Sequence, residues 1–236
     1  MNKMKCLAIV TARGGSKRIP GKNIRDFLGK PILSYPIKCA IESGAFDEVM
    51  VSTDSEEIAE IAKKYGARVP FMRSKETAND YATTEDVIME VLKCYEAEDV
   101  HFDYVVCLYP TAPFVRAEWI KNGLEVMQKT QANMLMTVVK YSFPPQRGMI
   151  KDGEYIKYKW PQYMLSRSQD LENIYHDVGQ FYCYNVKAFM KLNGLIEDKI
   201  VPFEVEEAEV QDIDTYEDWK IAELKYRILR GQEGNE

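Results

Sequence analysis

The sequence predicts an α/β fold in which a mostly parallel sheet carries helices on both faces. Short β-branched runs recur along the first 140 residues, and most are followed by a stretch with helical period. Such alternation is the pattern of parallel strands joined by crossover helices. Size sets a further bound: 236 residues, 46% of them hydrophobic, suffice for one large domain with a sizeable lobe and leave little room for two.

Taken in order, "CLAIV" at 6–10 is the first strand, "ILSYPIKCAIESG" at 32–44 a helix and "EVMVST" at 48–53 the second strand. A helix at 55–66 leads to the run "RVPFM" at 68–72, read as a third strand. The pattern resumes with a helix at 84–97, a strand at 104–110, a helix at 116–129 and a strand at 134–139. From 141 to 205 the texture changes: prolines stand at 144, 145 and 161, and "GMIKDGEYIKYKW" reads as a hairpin turning on Asp152-Gly153. This span is expected to be a lobe inserted into a single domain covering 1–236. A last amphipathic helix is expected from Tyr216 to Arg230, followed by a frayed tail, "GQEGNE".

Ligands of open α/β sheets bind beyond the carboxyl ends of the strands, so the loops beginning at Thr11, Ser52 and Pro110 are where chemistry is expected. With 37 acidic and 31 basic residues the net charge is -6, which excludes a nucleic-acid backbone as the expected partner and makes any anion site a local concentration of basic groups. Five cysteines at 6, 39, 94, 107 and 183 form no C-x-x-C pair and mostly have apolar neighbours, as reduced core thiols do. No stretch approaches the length of a membrane-crossing helix, and the apolar start is too short for a signal-peptide core. A cytoplasmic protein without membrane partners is expected.

"ARGGSKRIPGKN" at 12–23 follows the first strand with three glycines and four basic side chains. Glycine lets successive backbone N–H groups converge on one anion, and phosphate is the natural guest. Neither standard phosphate motif fits. Lys22 is followed by Asn23 and Ser16 occupies the first-glycine position of a Walker A loop, while adjacent Gly14 and Gly15 break the dinucleotide fingerprint. A solvated basic turn would require Arg13, Lys17, Arg18 and Lys22 to gather there by chance in an acidic protein.

"AIVTARGGSKRIPGKN" resembles the N-terminal signature of the cytidylyltransferases that activate acidic keto sugars, the family of the sialic acid synthetases. "VSTDSEEIAEIAKKYGA" at 51–67, "FMRSKETANDYATTEDV" at 71–87, "LYPTAPFVRAEWI" at 108–120 and "QDIDTYEDW" at 211–219 match further family blocks in order. The resemblance spans nearly the whole chain and implies a Rossmann-like sheet of the nucleotide-diphospho-sugar transferase type. It also implies transfer of CMP from CTP to a nine-carbon acidic keto sugar. "FPPQR" at 143–147 and "RSQDLENIYHDVGQFY" at 167–182 are most similar to members acting on pseudaminic acid, with N-acetylneuraminate and legionaminate as the alternatives. A nucleotide- or sugar-binding module without turnover is the competing class.

On this reading Arg13, Lys17 and Lys22 hold the triphosphate, Gly14, Gly15 and Ser16 donate backbone N–H groups, and Ala12 and Asn23 complete the nucleotide loop. Arg18 is open between this role and solvent. Arg73, Thr83, Thr84, Pro110 and Thr111 fall in blocks that contact the nucleotide. Asp212 and Asp214, two apart in an extended segment, share a face and are the candidate ligands of a Mg2+ ion, the expected cofactor. Arg13, Lys22 and Asp214 are the expected catalytic groups. Thr215 with Asp218, and Asp54 or Ser55, are read as helix caps.

Tyr109 and Ala112 depart from the L-Q-P-T-S-P of the sialic acid synthetases, which argues against N-acetylneuraminate. The sugar carboxylate calls for a guanidinium, Arg147 or Arg167, both in the lobe. Gln180 and Tyr182, two apart on a strand, are expected to share a face toward the sugar, with Tyr109 beside them. His176 is assigned no catalytic role. The resemblance also implies a homodimer in which the lobe packs against the second subunit.

Overall fold

The computed structural model describes residues 4–233. Its centre is a six-stranded sheet built from β1 (Cys6–Thr11), β4 (Glu48–Ser52), β5 (Tyr104–Leu108), β6 (Met134–Lys140), β9 (Tyr175–Asn185) and β10 (Ile200–Glu204). The strand order is β10-β6-β9-β5-β1-β4. β1 runs parallel to both β4 and β5, β10 runs parallel to β6, and β9 runs antiparallel to both β5 and β6. The sheet is thus mostly parallel, as expected, with one reversed strand at its middle. Two short ribbons complete the strands: β2 (Asp26–Phe27) with β3 (Lys30–Pro31), and β7 (Met149–Asp152) with β8 (Tyr155–Tyr158).

Central strands covered on both faces are apolar throughout, and β1 shows why: Leu7 and Ile9 face one helical layer while Ala8 and Val10 face the other. The first layer holds α1 (Ser34–Ser43), α2 (Glu56–Lys64) and α5 (Ala117–Thr130), contributing Ile37, Ile58 and Leu124 to the core. The second holds α4 (Thr84–Ala97) and α6 (Val186–Lys191), contributing Ile88, Tyr95 and Phe189. A smaller core of Ile19, Phe27, Phe114, Ile213 and Trp219 ties the loop after β1 to α7 (Tyr216–Glu233). The short α3 (Lys75–Ala78) follows the second crossover.

Three expectations are corrected. The run 68–72 is no strand: Arg68 forms one isolated parallel bridge to Met50, and Pro70, which has no N–H, cannot continue the ladder. The excursion from the sheet covers 141–174 and holds the β7–β8 hairpin, whereas residues 175–185 and 200–204 of the expected lobe are strands of the central sheet. The last helix continues through Glu233, so 231–233 are helical, and 234–236 of the expected tail lie outside the described residues.

Candidate active site

The loop after β1 is held from three directions. The Gly14 N–H donates to Asp54 Oδ1 at 2.8 Å, the buried Asn23 side chain donates to the Arg13 carbonyl at 2.8 Å, and Lys22 Nζ donates to the Ile213 carbonyl at 2.7 Å. Ile19 is fully buried beneath it. Gly21 takes a left-handed conformation, φ 63°, that starts the tight turn carrying Lys22 and Asn23, a geometry that disfavours a side chain. The loop therefore presents its cations from a fixed backbone. Asp54 serves this loop, and Ser55 caps α2 by accepting from the Ile58 N–H.

Of the three backbone donors expected at phosphate, Gly14 is committed to Asp54 and the Ser16 N–H to the Gly14 carbonyl at 3.0 Å. The Gly15 N–H is the one without an acceptor among the described residues. Cation side chains, more than backbone, thus face the guest. They line a cleft of ≈ 310 Å³ whose walls include Arg13, Lys17, Lys22, Arg73, Tyr109 and Thr111. Asn23, Ser16, Pro110, Thr83 and Thr84 line it as well, while Ala12, Gly14 and Gly15 are not among its walls.

Arg73 sets the character of the cleft. It is 8% exposed, with Nε donating to Ser52 Oγ at 3.0 Å and Nη2 to the Ser52 carbonyl at 2.6 Å. Burial depresses its pKa, yet a guanidinium stays charged at neutral pH. Among the described residues no carboxylate lies within ion-pair distance of it. A buried cation held only by neutral acceptors calls for an anion, and this one borders the cleft.

The loop cations already have anionic partners. Asp80 pairs with Arg13 at 2.7 Å and with Lys17, and these two hydrogen bonds hold its carboxyl below the usual range. Asp214 pairs with Arg18 at 2.5 Å and with Lys22 at 3.6 Å. Asp212 stands on the other side of the buried Ile213, and its carboxyl is raised by burial and then by repulsion from Asp214. The charges of Lys22 and Arg18 act against that shift without cancelling it. Thr215 and Asp218 form the expected capping box, Asp218 Oδ2 accepting the Thr215 N–H at 2.7 Å and Thr215 Oγ1 accepting the Asp218 N–H at 3.2 Å.

A second cavity of ≈ 520 Å³ adjoins the cleft, bordered by Tyr109, His176, Asp177, Tyr182, Asp212 and Lys225. Tyr109 is the wall common to both. Its hydroxyl is 3.2 Å from Thr84 Oγ1 and its ring packs 5.4 Å from that of Tyr182. The Tyr182 hydroxyl donates to both oxygens of Asp177, at 2.8 and 2.7 Å, and its pKa is raised first by burial, then by Tyr109 and by these hydrogen bonds. Asp212 opens on this second cavity while Asp214 holds the cations of the first, so the pair sits at their boundary.

The sequence profile of the cytidylyltransferases matches residues 7–223, most of the chain. The chain belongs to the cytidylyltransferase family. Among its relatives, pseudaminic acid cytidylyltransferase of Campylobacter jejuni is 40% identical over 226 residues, covering 95% of this chain and 97% of that one. CMP-N,N'-diacetyllegionaminic acid synthase of Legionella pneumophila is 34% identical over 229 residues, covering 93% and 95%. A solved CMP:2-keto-3-deoxy-manno-octonic acid synthetase complexed with CTP has the same fold, with a TM-score of 0.68 at 22% identity over 97% of this chain and 99% of that one.

In this cytidylyltransferase the predicted nucleotide residues converge, and the predicted sugar residues only in part. Tyr109 and Tyr182 line the second cavity. Gln180 does not: its amide is buried and donates to the Glu209 carbonyl at 2.6 Å, because Gly179, at φ 58°, turns the strand where its pairing with β6 shifts register. Arg147 and Arg167 stay on the excursion, Arg147 reaching Ser168 Oγ at 3.4 Å, and neither borders the cleft or the second cavity. Thr83 lines the cleft but also caps α4 in a capping box with Asp86. His176 borders the second cavity, with Nδ1 2.9 Å from the Asp177 carbonyl oxygen and its ring tilted against that of Tyr141. Sequence reasoning missed Asp80 and Asp177. Asp80 sits in the block that yielded Arg73, and its signal was charge opposite to that of the loop.

Proposed function

We propose that this chain transfers CMP from CTP to the anomeric hydroxyl of a nine-carbon acidic keto sugar, pseudaminic acid, and releases pyrophosphate. The observation that carries the nucleotide half is Arg73, a buried cation without a carboxylate partner, opening on a cleft ringed by Arg13, Lys17 and Lys22. The sugar half rests on 40% identity to the Campylobacter enzyme across nearly the whole of both chains.

The sugar oxygen forms a bond to the α-phosphorus, the bond from that phosphorus to the bridging oxygen breaks, and the hydroxyl proton passes to solvent. Negative charge grows on the departing pyrophosphate, so side chains that are fixed and cationic before reaction lower the barrier. Lys22 and the backbone of Arg13 are so placed by the tethers of their loop, and Lys17 lines the cleft beside them. Tyr109, between the two cavities, is positioned to separate the nucleotide from the sugar. Asp212 and Asp214 fit a Mg2+ ion: they are hard oxygen donors, they repel each other, and they stand where the two cavities meet. When bound, such an ion would neutralise phosphate charge and acidify the attacking hydroxyl.

A homodimer is proposed from the excursion, where Phe143, Tyr155 and Leu165 are exposed apolar side chains, and such a partner would carry Arg147 or Arg167 to a sugar site. A cytoplasmic setting is in keeping with the free thiols of Cys39, Cys94, Cys107 and Cys183. Pyrophosphate release from CTP and Mg2+ should be measured with pseudaminic, legionaminic and N-acetylneuraminic acids. We expect turnover with the first. Preference for either of the others reassigns the sugar, and no turnover with any of them leaves a binding module.

A further inference from the structure

A basic concavity outside the active site lies between α1, the start of α5 and the end of α7, a groove of ≈ 460 Å³. It shares no lining residue with either cavity described above. Lys30, Lys38, Arg116 and Arg230 line it against the carboxylates Glu42 and Glu118, a surplus of two positive charges in a chain whose net charge is -6. Arg116 is committed to Glu209, whereas Lys30 and Lys38 have no carboxylate within ion-pair distance among the described residues.

Two further features make this more than a basic patch. Helix α5 is fourteen residues long and begins in the groove with Arg116 as its cap, a residue whose side chain accepts nothing from the first turn. The N–H groups of Ala117 and Glu118 find no acceptor among the described residues, and the helix dipole adds its positive end there. Independently, Ser34 lines the same groove with a fully buried hydroxyl that has no hydrogen-bond partner. A buried hydroxyl left unbonded is costly unless a ligand engages it.

We propose that this groove is a second anion site, for the phosphate of a small phosphomonoester. Three kinds of donor border the groove: the N–H groups of the helix start, the Ser34 hydroxyl and the ammonium groups of Lys30 and Lys38. That arrangement suits a tetrahedral oxyanion better than a planar carboxylate, and the volume leaves room for an organic body against Tyr226. The site does not depend on the reaction assigned to the cleft.

The test is titration of the isotope-labelled full chain with inorganic phosphate and with glycerol 3-phosphate, followed by backbone amide shifts, in the wild type and in the Lys30→Glu/Lys38→Glu variant. Saturable shifts at Ala117 and Glu118, with affinity at least tenfold weaker in the variant and CTP binding unchanged, are expected. A response to glycerol 3-phosphate but not to phosphate keeps the site and makes the organic body part of recognition. No saturable shift with either probe, or equal affinity in the variant, overturns the proposal.

Discussion

Arg73 holds two hydrogen bonds to Ser52 and points its remaining charge at the cleft. Arg73→Met should therefore raise the KM for CTP about ten- to hundredfold, the range for losing one charge-assisted hydrogen bond, with a smaller effect on the sugar. An unchanged KM for CTP would sink its assignment. Asp80 is the counterpart: it neutralises Arg13 and Lys17 until a triphosphate displaces it, so Asp80→Asn should lower the KM for CTP in the same initial-rate assay. Because this carboxyl is held below its ordinary value, its pairs persist above the unfolded pKa and are lost only as pH falls through the lower, folded one. Between pH 5 and 8 salt, not pH, should weaken them. The basic residues of the loop were legible because glycine and charge coincide within one short window after a strand. Asp80, which meets two of them, was not, since it gains meaning only when a segment 63 residues away folds onto the loop, whereas Asp214, 196 residues from its partner Arg18, was reached through its D-x-D spacing and the family resemblance.

At the scale of elements, helices and central strands were legible because their apolar periods survive in the structure. The run 68–72 was apolar enough for a strand but carried Pro70, and the backbone hydrogen bond that proline withholds decided against it. Thr83→Ala should destabilise the protein by about 1 kcal/mol in chemical denaturation, the usual effect of removing an N-cap hydroxyl from a helix. Gly179→Ala tests the turn that diverts Gln180. Its φ of 58° disfavours a side chain, and an added Cβ would lie 3.4 Å from the Tyr109 ring. We expect a loss of stability of about 1–2 kcal/mol with a rise in KM for the sugar larger than that for CTP. Equal effects on both substrates would remove Tyr109 from the sugar side.

For the whole molecule, the excursion was legible from its prolines and its Asp-Gly turn. Its far boundary was not, because β9 reads like any apolar run and nothing local says that it rejoins the centre of the sheet. If the excursion joins two subunits, Leu165→Glu should shift sedimentation toward the monomer without loss of helical signal. The core thiols give a check on integrity: burial pushes Cys107 and Cys39 up to about 12, so neither should react with a thiol reagent at pH 8 until the protein unfolds.

Among the described residues β9 is the only strand joining the half-sheet β4-β1-β5 to the half-sheet β6-β10. The amino-terminal half can pair during synthesis, whereas β6 emerges with no neighbour and must wait for Tyr175–Asn185 to cross between it and β5. Closure of the sheet is therefore a late, long-range folding step, and the residues it brings in include Asp177 and Tyr182. A chain stalled before that step would have its nucleotide loop in place and its second cavity still unbuilt.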